Sequence, residues 1–202
     1  MKRSRLHPPV QPLRRRESGF VLVTALMFLI VLTVLGLSIM STNTLEERMA
    51  GYFRDRQLAL ESAEAGLRDA ERDIFSGSRT ISGIMGFEAG CADSGSYQGL
   101  CQPNTTGNPI WVDLEVPSNS GYPGWVGSGD ENAAVKSVKY GAYSSAPLLA
   151  RVARQPRYII EALTVPSFDL EPGKSSYVYR VSAVGFGRRV ATRVVLQALY
   201  LP

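Results

Sequence analysis

Beyond its first twenty positions, the residues of this chain able to do chemistry are two cysteines and a scatter of carboxylates. Cys91 and Cys101 stand ten positions apart in a stretch rich in Gly, Ser and Asn. On the oxidising side of a membrane such a pair closes a disulfide, and a ring this short is worth about 2–3 kcal/mol on the loop-entropy account. A metal held by two thiolates is the rival chemistry, and it lacks further ligands. The single histidine is His7, and there is no second cysteine pair. The same shortage removes Ser-His-Asp and Cys-His catalysis from everything after the leader. Asp93, Asp130 and Glu131 lie in loop-forming sequence that could meet a calcium ion, but they show no spaced ligand set. Gly173-Lys174-Ser175 echoes the end of a phosphate-binding loop, yet Phe168 stands where the earlier glycine belongs. Gly185-Phe186-Gly187 lacks the third glycine of a dinucleotide loop and leads into a strand pattern, so it reads as a hairpin turn. The expectation is a protein with no enzymatic activity, no cofactor and no metal.

What positions these residues is decided much earlier in the chain. Phe20 through Met40 contains no charge, and a helix of that length covers about 30 Å, the hydrocarbon thickness of a bilayer. Its small polar residues Thr24, Thr33 and Ser38 can return hydroxyl hydrogen bonds to the preceding turn. The formal net charge of +4 belongs to the leader. Lys2, Arg3, Arg5, Arg14, Arg15 and Arg16 against Glu17 put +5 ahead of Phe20, leaving 16 basic and 17 acidic residues for the rest. By the positive-inside rule the leader stays cytoplasmic and the chain after Met40 is translocated. A nucleic-acid partner would need a basic patch on the folded part and is not expected.

Helical periodicity continues past the apolar run. Phe53, Leu60, Leu67 and Ile74 recur every seven residues, with Met49, Ala63 and Ala70 beside that row and Arg56 interrupting it. This stripe predicts the face on which a globular domain packs, with pairs such as Glu64–Arg68, Arg68–Glu71 and Asp69–Arg72 on a solvated back. Ser76-Gly77-Ser78 supplies the stop. Gly36, Gly51 and Gly66 are weak points, each costing about 1 kcal/mol against Ala. Residues 77–143 are loop-rich, with turns at Tyr122–Trp125 and Gly127–Asp130 and one alternating run, Ile110–Val116, that predicts a strand ended by Pro117. Residues 157–200 carry three strand patterns, Arg157–Leu163, Tyr177–Val184 and Val190–Tyr200. In the last, Val190, Thr192, Val194, Leu196, Ala198 and Tyr200 line one face, which is the antiparallel signature.

The leader is unlike a secretory signal, whose apolar core is shorter and ends in a small-x-small site. A twin-arginine reading of Arg14-Arg15-Arg16 is spoiled by Glu17-Ser18-Gly19 before the apolar run. A basic leader ending in Gly19, then Phe20 and an uninterrupted apolar helix, resembles the class III signal of type IV prepilins. That resemblance implies cleavage after Gly19 by prepilin peptidase and N-methylation of Phe20. In major pilins the fifth mature residue is a glutamate that pairs with a neighbouring subunit's amine. Here that position is Thr24, whose hydroxyl cannot neutralise a buried ammonium.

A narrower family fits two segments. Leu45-Glu46-Glu47-Arg48-Met49-Ala50-Gly51-Tyr52-Phe53-Arg54-Asp55-Arg56 and Ala59-Leu60-Glu61-Ser62-Ala63-Glu64-Ala65-Gly66-Leu67-Arg68-Asp69-Ala70-Glu71 resemble the helix of PilX-type minor pilins. Pro156–Glu161, Tyr179–Gly185 and Thr192–Gln197 resemble the end of the same family. The implied fold is α+β and pilin-like: a leader (1–19), a transmembrane half-helix (20–40), an amphipathic half-helix (41–76) and a periplasmic domain (77–202) built on an antiparallel sheet. The implied function is a minor pilin that primes pilus assembly and sits at the tip. Its partners would be the prepilin peptidase, other minor pilins, the major pilin and, before assembly, inner-membrane lipid. A type II secretion pseudopilin shares the fold and differs in partners. A permanently anchored periplasmic binding or enzymatic domain is the alternative of another class.

Overall fold

The computed structural model describes residues 18–79, 81–116, 123–126, 135–166 and 175–201, and within the helix it leaves the side chains of 18 and 39–44 undescribed. The leader up to Glu17, the turn expected at 127–130, Asp130, Glu131, Pro117, Tyr122, Phe168 and the Gly173-Lys174 pair lie outside the described residues. The chain divides into two compact units, Met1–Met49 and Ala50–Pro202.

The first helix, α1 (Ser18–Ser76), contributes to both. It contains no proline, and Ala, Leu, Met, Glu and Arg dominate its second part, so nothing local interrupts the hydrogen-bond ladder. In the first unit Gly19–Ser38 has a mean hydropathy of 2.9 and none of it is buried by protein. An apolar helix exposed all round fits a single-pass membrane anchor by length and composition. Thr24 donates to Phe20 O (3.1 Å) and Val21 O (3.0 Å), and Thr33 to Ile30 O (2.8 Å), so these hydroxyls need no outside partner.

The second unit sets the rest of α1 against a six-stranded sheet: β1 (Glu88–Ala89), β2 (Leu100–Gln102), β3 (Val138–Lys139), β4 (Arg157–Pro166), β5 (Ser175–Phe186) and β6 (Arg193–Tyr200). The order is β1-β2-β4-β5-β6, with β3 also on β4. The three expected strands form the antiparallel run β4-β5-β6, and the short β3, which was not expected, joins it antiparallel on β4, while β1 and β2 join in parallel, which makes the sheet mixed. β5 runs on through Phe186, and the hairpin turn falls after it, closed by bonds from Gly187 N to Thr192 O and Thr192 N to Arg189 O. The last strand therefore begins at Arg193 rather than Val190.

Each face of the sheet carries a core. On one, Tyr158, Ile160 and Ala162 of β4 and Tyr179, Val181 and Ala183 of β5 form a core with Ala70 and Ile74 of α1. On the other, Ile159, Val184 and Phe186 pack with both cysteines, Trp125, Val126 and a short helix, α2 (Ile110–Glu115). The loop-rich segment thus supplies a core of its own.

Two expectations are corrected here. Ile110–Val116 is helical through Glu115, not a strand. Its apolar alternation is equally compatible with an i,i+4 face, and Ile110 and Leu114 are the residues that α2 buries. The expected packing stripe of α1 holds at Ala63, Ala70 and Ile74 but not at its other large residues. Phe53 and Met49 are exposed and Leu60 and Leu67 only half-buried, whereas Ala59, Ser62, Ala63, Gly66, Asp69, Ala70, Asp73 and Ile74 are buried. Close approach explains the choice: a Cβ on Gly66 would lie 3.2 Å from Pro156 Cβ and 3.3 Å from Ala183 Cβ. Gly66 is a contact point of the fold more than a weak one.

Candidate functional site

The end of α1 is where the second unit concentrates its buried charge. Asp73 is fully buried, and it accepts from Arg79 Nε (2.9 Å to Oδ1) and Arg79 Nη2 (2.5 Å to Oδ2). Tyr158 OH adds a third bond, 2.8 Å to Oδ2. The remaining guanidinium nitrogen, Arg79 Nη1, donates to the carbonyls of Ser96 (3.0 Å) and Gln98 (2.7 Å), inside the loop that the cysteines close. The guanidinium also lies 4.0 Å from the centroid of the Tyr143 ring, whose hydroxyl donates to Gly95 O at 2.7 Å. One turn earlier, Asp69 accepts from Gly141 N (2.8 Å) and from the Ser144 hydroxyl. Two acidic residues on one helix therefore tie down three separate loops.

The electrostatics follow from burial. Burial is the largest cause lifting the Asp69 carboxyl above its ordinary range; nearby Asp73 adds to the rise, and the bonds from Ser144 and Gly141 oppose it. Burial, then the Asp73 charge, raises the Tyr158 phenol well above its usual value, so this proton stays in place as a donor. At the other end of the packed helix Asp55 behaves oppositely. Burial alone would raise it, but the Thr192 hydroxyl, the Arg188 N–H and two neighbouring arginines hold it below the usual carboxylate range. Through Asp55 the β5–β6 turn is held against α1.

The cysteines are joined, with S–S 2.01 Å. Left-handed backbone at Gly90 (φ 74°) and Cys91 (φ 71°) turns the chain back, and Ala92 N to Leu100 O with Gly99 N to Ala92 O completes a small closed loop. Cys101 is fully buried against Ile159 and Trp125 in the second core. Trp125 donates to Glu115 Oε1 (3.0 Å), and Arg193 of β6 holds the other oxygen of Glu115 (2.7 Å), which fixes α2 to the sheet. Reducing the disulfide, or Cys91→Ser, is expected to cost about 2–3 kcal/mol in unfolding free energy. Urea melts of the full chain in detergent with and without reductant measure it, and superimposable curves would refute it.

The expected site residues belong to different units. Gly19, Phe20 and Thr24 lie on the exposed apolar helix of the first unit, and the cysteines lie in the second. Asp93, an expected loop carboxylate, is exposed and accepts from Ser94 Oγ at 3.0 Å. Among the described residues no group of three or more His, Cys, Asp or Glu side chains comes together. Sequence reasoning missed Asp69, Asp73 and Arg79. The signal that could have found the first two is their place in the small-residue row of α1, four apart and flanking Ala70.

Exposed Ile84 and Met85 precede a left-handed turn at Gly86, which lies directly against the ring of exposed Tyr97. Among the described residues, the two buried carboxylates at this end, Asp69 and Asp73, accept their hydrogen bonds from groups within the fold.

Two family descriptions match the sequence: PilX N-terminal over residues 18–68, and type IV pilus assembly protein PilX C-term over residues 97–202. The chain belongs to the PilX family of type IV pilus assembly proteins. No curated protein and no solved structure matches it. PilX-family membership makes the chain a structural component of the pilus, with a minor-pilin role in association with other pilus components.

Proposed function

We propose that this PilX-family chain is a prepilin cut after Gly19, N-methylated at Phe20, that helps to prime pilus assembly and occupies the pilus tip. The observation that carries this reading is the state of Thr24. In a subunit with another stacked above it, the fifth mature residue meets an incoming ammonium and needs a carboxylate. Thr24 offers a hydroxyl already turned back onto Phe20 O and Val21 O. An ammonium placed there in lipid would lack a counter-charge, which costs several kcal/mol. The first position of a fibre has no such requirement.

The basic leader supports a cytoplasmic N-terminus and a periplasmic second unit, and the internal disulfide fits an oxidising compartment. The family match favours the pilus over a secretion pseudopilus as the assembly. Before assembly the partners are the prepilin peptidase and inner-membrane lipid, and afterwards the other minor pilins and the major pilin.

Intact mass of the full-length protein extracted from membranes tests the processing. The expected species begins at methylated Phe20, and a retained leader overturns the reading. Gold labelling of sheared fibres tests the position: one end labelled is expected, and label along the shaft removes the tip assignment.

A further inference from the structure

β6 ends the sheet, and among the described residues nothing pairs with its outer side. In an antiparallel pair, residues bonded to the neighbour alternate with residues whose N–H and C=O point away. The 2.8 Å bond from Gly187 N to Thr192 O sets the phase. Counting along the register from there, Val194, Leu196, Ala198 and Tyr200 bond to β5. Arg193, Val195, Gln197 and Leu199 turn their main-chain groups outward.

Proteins guard such edges with lysine, proline, a bulge or brevity. β6 uses none of these. Its register runs unbroken from Phe186↔Arg193 to Tyr179↔Tyr200, and no charge stands between Val194 and Leu201. The opposite edge, β1, is two residues long. Leu199 is 64% exposed.

A strand laid along this edge would place its side chains alternately on the two faces of the sheet. On the face away from α1 they meet Gln197 and Leu199, at the rim of a hollow that Leu163 and Arg180 also line, Arg180 being already neutralised by Glu161 at 2.8 Å. On the α1 face they meet Arg68, Glu71, Arg72 and Phe75, with Phe75 edge-on to Tyr200 at 6.4 Å. The first hollow favours apolar side chains. The second, with two arginines to one glutamate, favours acidic ones.

We propose that β6 is a docking edge for an extended strand donated by another chain of the assembly, apolar on one face and acidic on the other, which adds itself to the sheet. The donor's being an assembly partner rests on the pilus reading; the strand chemistry rests on the edge alone.

The test uses the full chain in detergent and, as probe, a ten-residue peptide of alternating valine and glutamate. Fluorescence anisotropy is expected to show saturable binding, at least tenfold tighter than for an alternating valine–lysine peptide. Hydrogen exchange is expected to slow at Val195, Gln197 and Leu199 and not at Val194 or Leu196. Leu199→Ala keeps the outward N–H and should bind, whereas Leu199→Pro removes it and should lose at least tenfold. Leu199→Lys should lose as much while melting like the parent, which covers a failure of the proline variant to fold. Absence of slowed exchange, or equal binding by the valine–lysine peptide or by Leu199→Lys, overturns the proposal. The same protection appearing without peptide as protein concentration rises would assign the edge to a second copy, and also overturns it. None of these outcomes bears on where the leader is cut, so the two readings fail separately.

Discussion

Asp73→Ala is expected to destabilise the sheet-bearing unit by about 3–5 kcal/mol, the cost of leaving a buried charge without its partner. Arg79 would keep a side chain only 4% exposed while losing its three bonds to the carboxylate. The Tyr158 hydroxyl would lose its acceptor in the core at the same time. Against a total stability of about 5–15 kcal/mol for a domain, this is enough to leave a large share unfolded near physiological temperature. Removing both charges, as in Asp73→Leu with Arg79→Met, should recover part of the loss because the desolvation of the pair is lifted too. Recovery should stay incomplete, since the Ser96 and Gln98 carbonyls lose their donor at about 1–3 kcal/mol for each group left unsatisfied. Urea unfolding of the two single variants and the double closes the cycle. Additive losses would show that the pair is not coupled.

Gly185→Ala is the second large effect, about 3 kcal/mol, at the upper end of what overpacking costs. A Cβ there would sit 2.1 Å from Ala63 N and 2.3 Å from Ala59 O. Both are backbone atoms of α1, so no rotamer change can make room, and the helix must lift from β5. Lifting it also strains the bond from Phe186 N to Ser62 Oγ. The mirror substitution Gly36→Ala, in the exposed apolar part of α1 with nothing within 4 Å of the added atom, should be neutral or slightly stabilising. Thermal melting followed by near-ultraviolet circular dichroism distinguishes the two, and an unchanged midpoint for Gly185→Ala would contradict the close packing.

How much of this was legible depends on element length. α1 was readable from Phe20 to Ser76 because it is long, free of proline and periodic, and the observed start lies two residues earlier. β4, β5 and β6, of eight or more residues each, were readable as strands, the last of them by its alternation. β1, β2 and β3 are two or three residues each, too short to hold a period, so neither the parallel part of the sheet nor the pairing of β3 could be read. α2 was misread because a run of seven cannot separate a period of 2 from one of 3.6, and its packing partners, Trp125 and the cysteines, lie outside the run.

The packing face of α1 was obscured for a different reason. Apolarity pointed to Phe53 and Leu60, but the deciding quantity is the distance of the helix from Gly185, which only small residues permit. For the candidate site, the pairing of Cys91 with Cys101 and the oddness of Thr24 could be seen from residue types. The Asp73–Arg79 contact could not, because a charged residue on a helix is ordinarily a solvated one.

The small-residue row of α1 also has a consequence in time. The strands that cover it are made more than a hundred residues later: Phe186 meets Ser62 across 124 positions and Tyr200 meets Leu67 across 133. Contacts of such separation close slowly, so the helix must wait uncovered while the chain that will cover it is synthesised. A waiting face of leucines and phenylalanines would invite the wrong neighbour. A face of alanine, glycine, serine and aspartate has little apolar area to offer, and becomes adhesive only to a surface that can approach it closely.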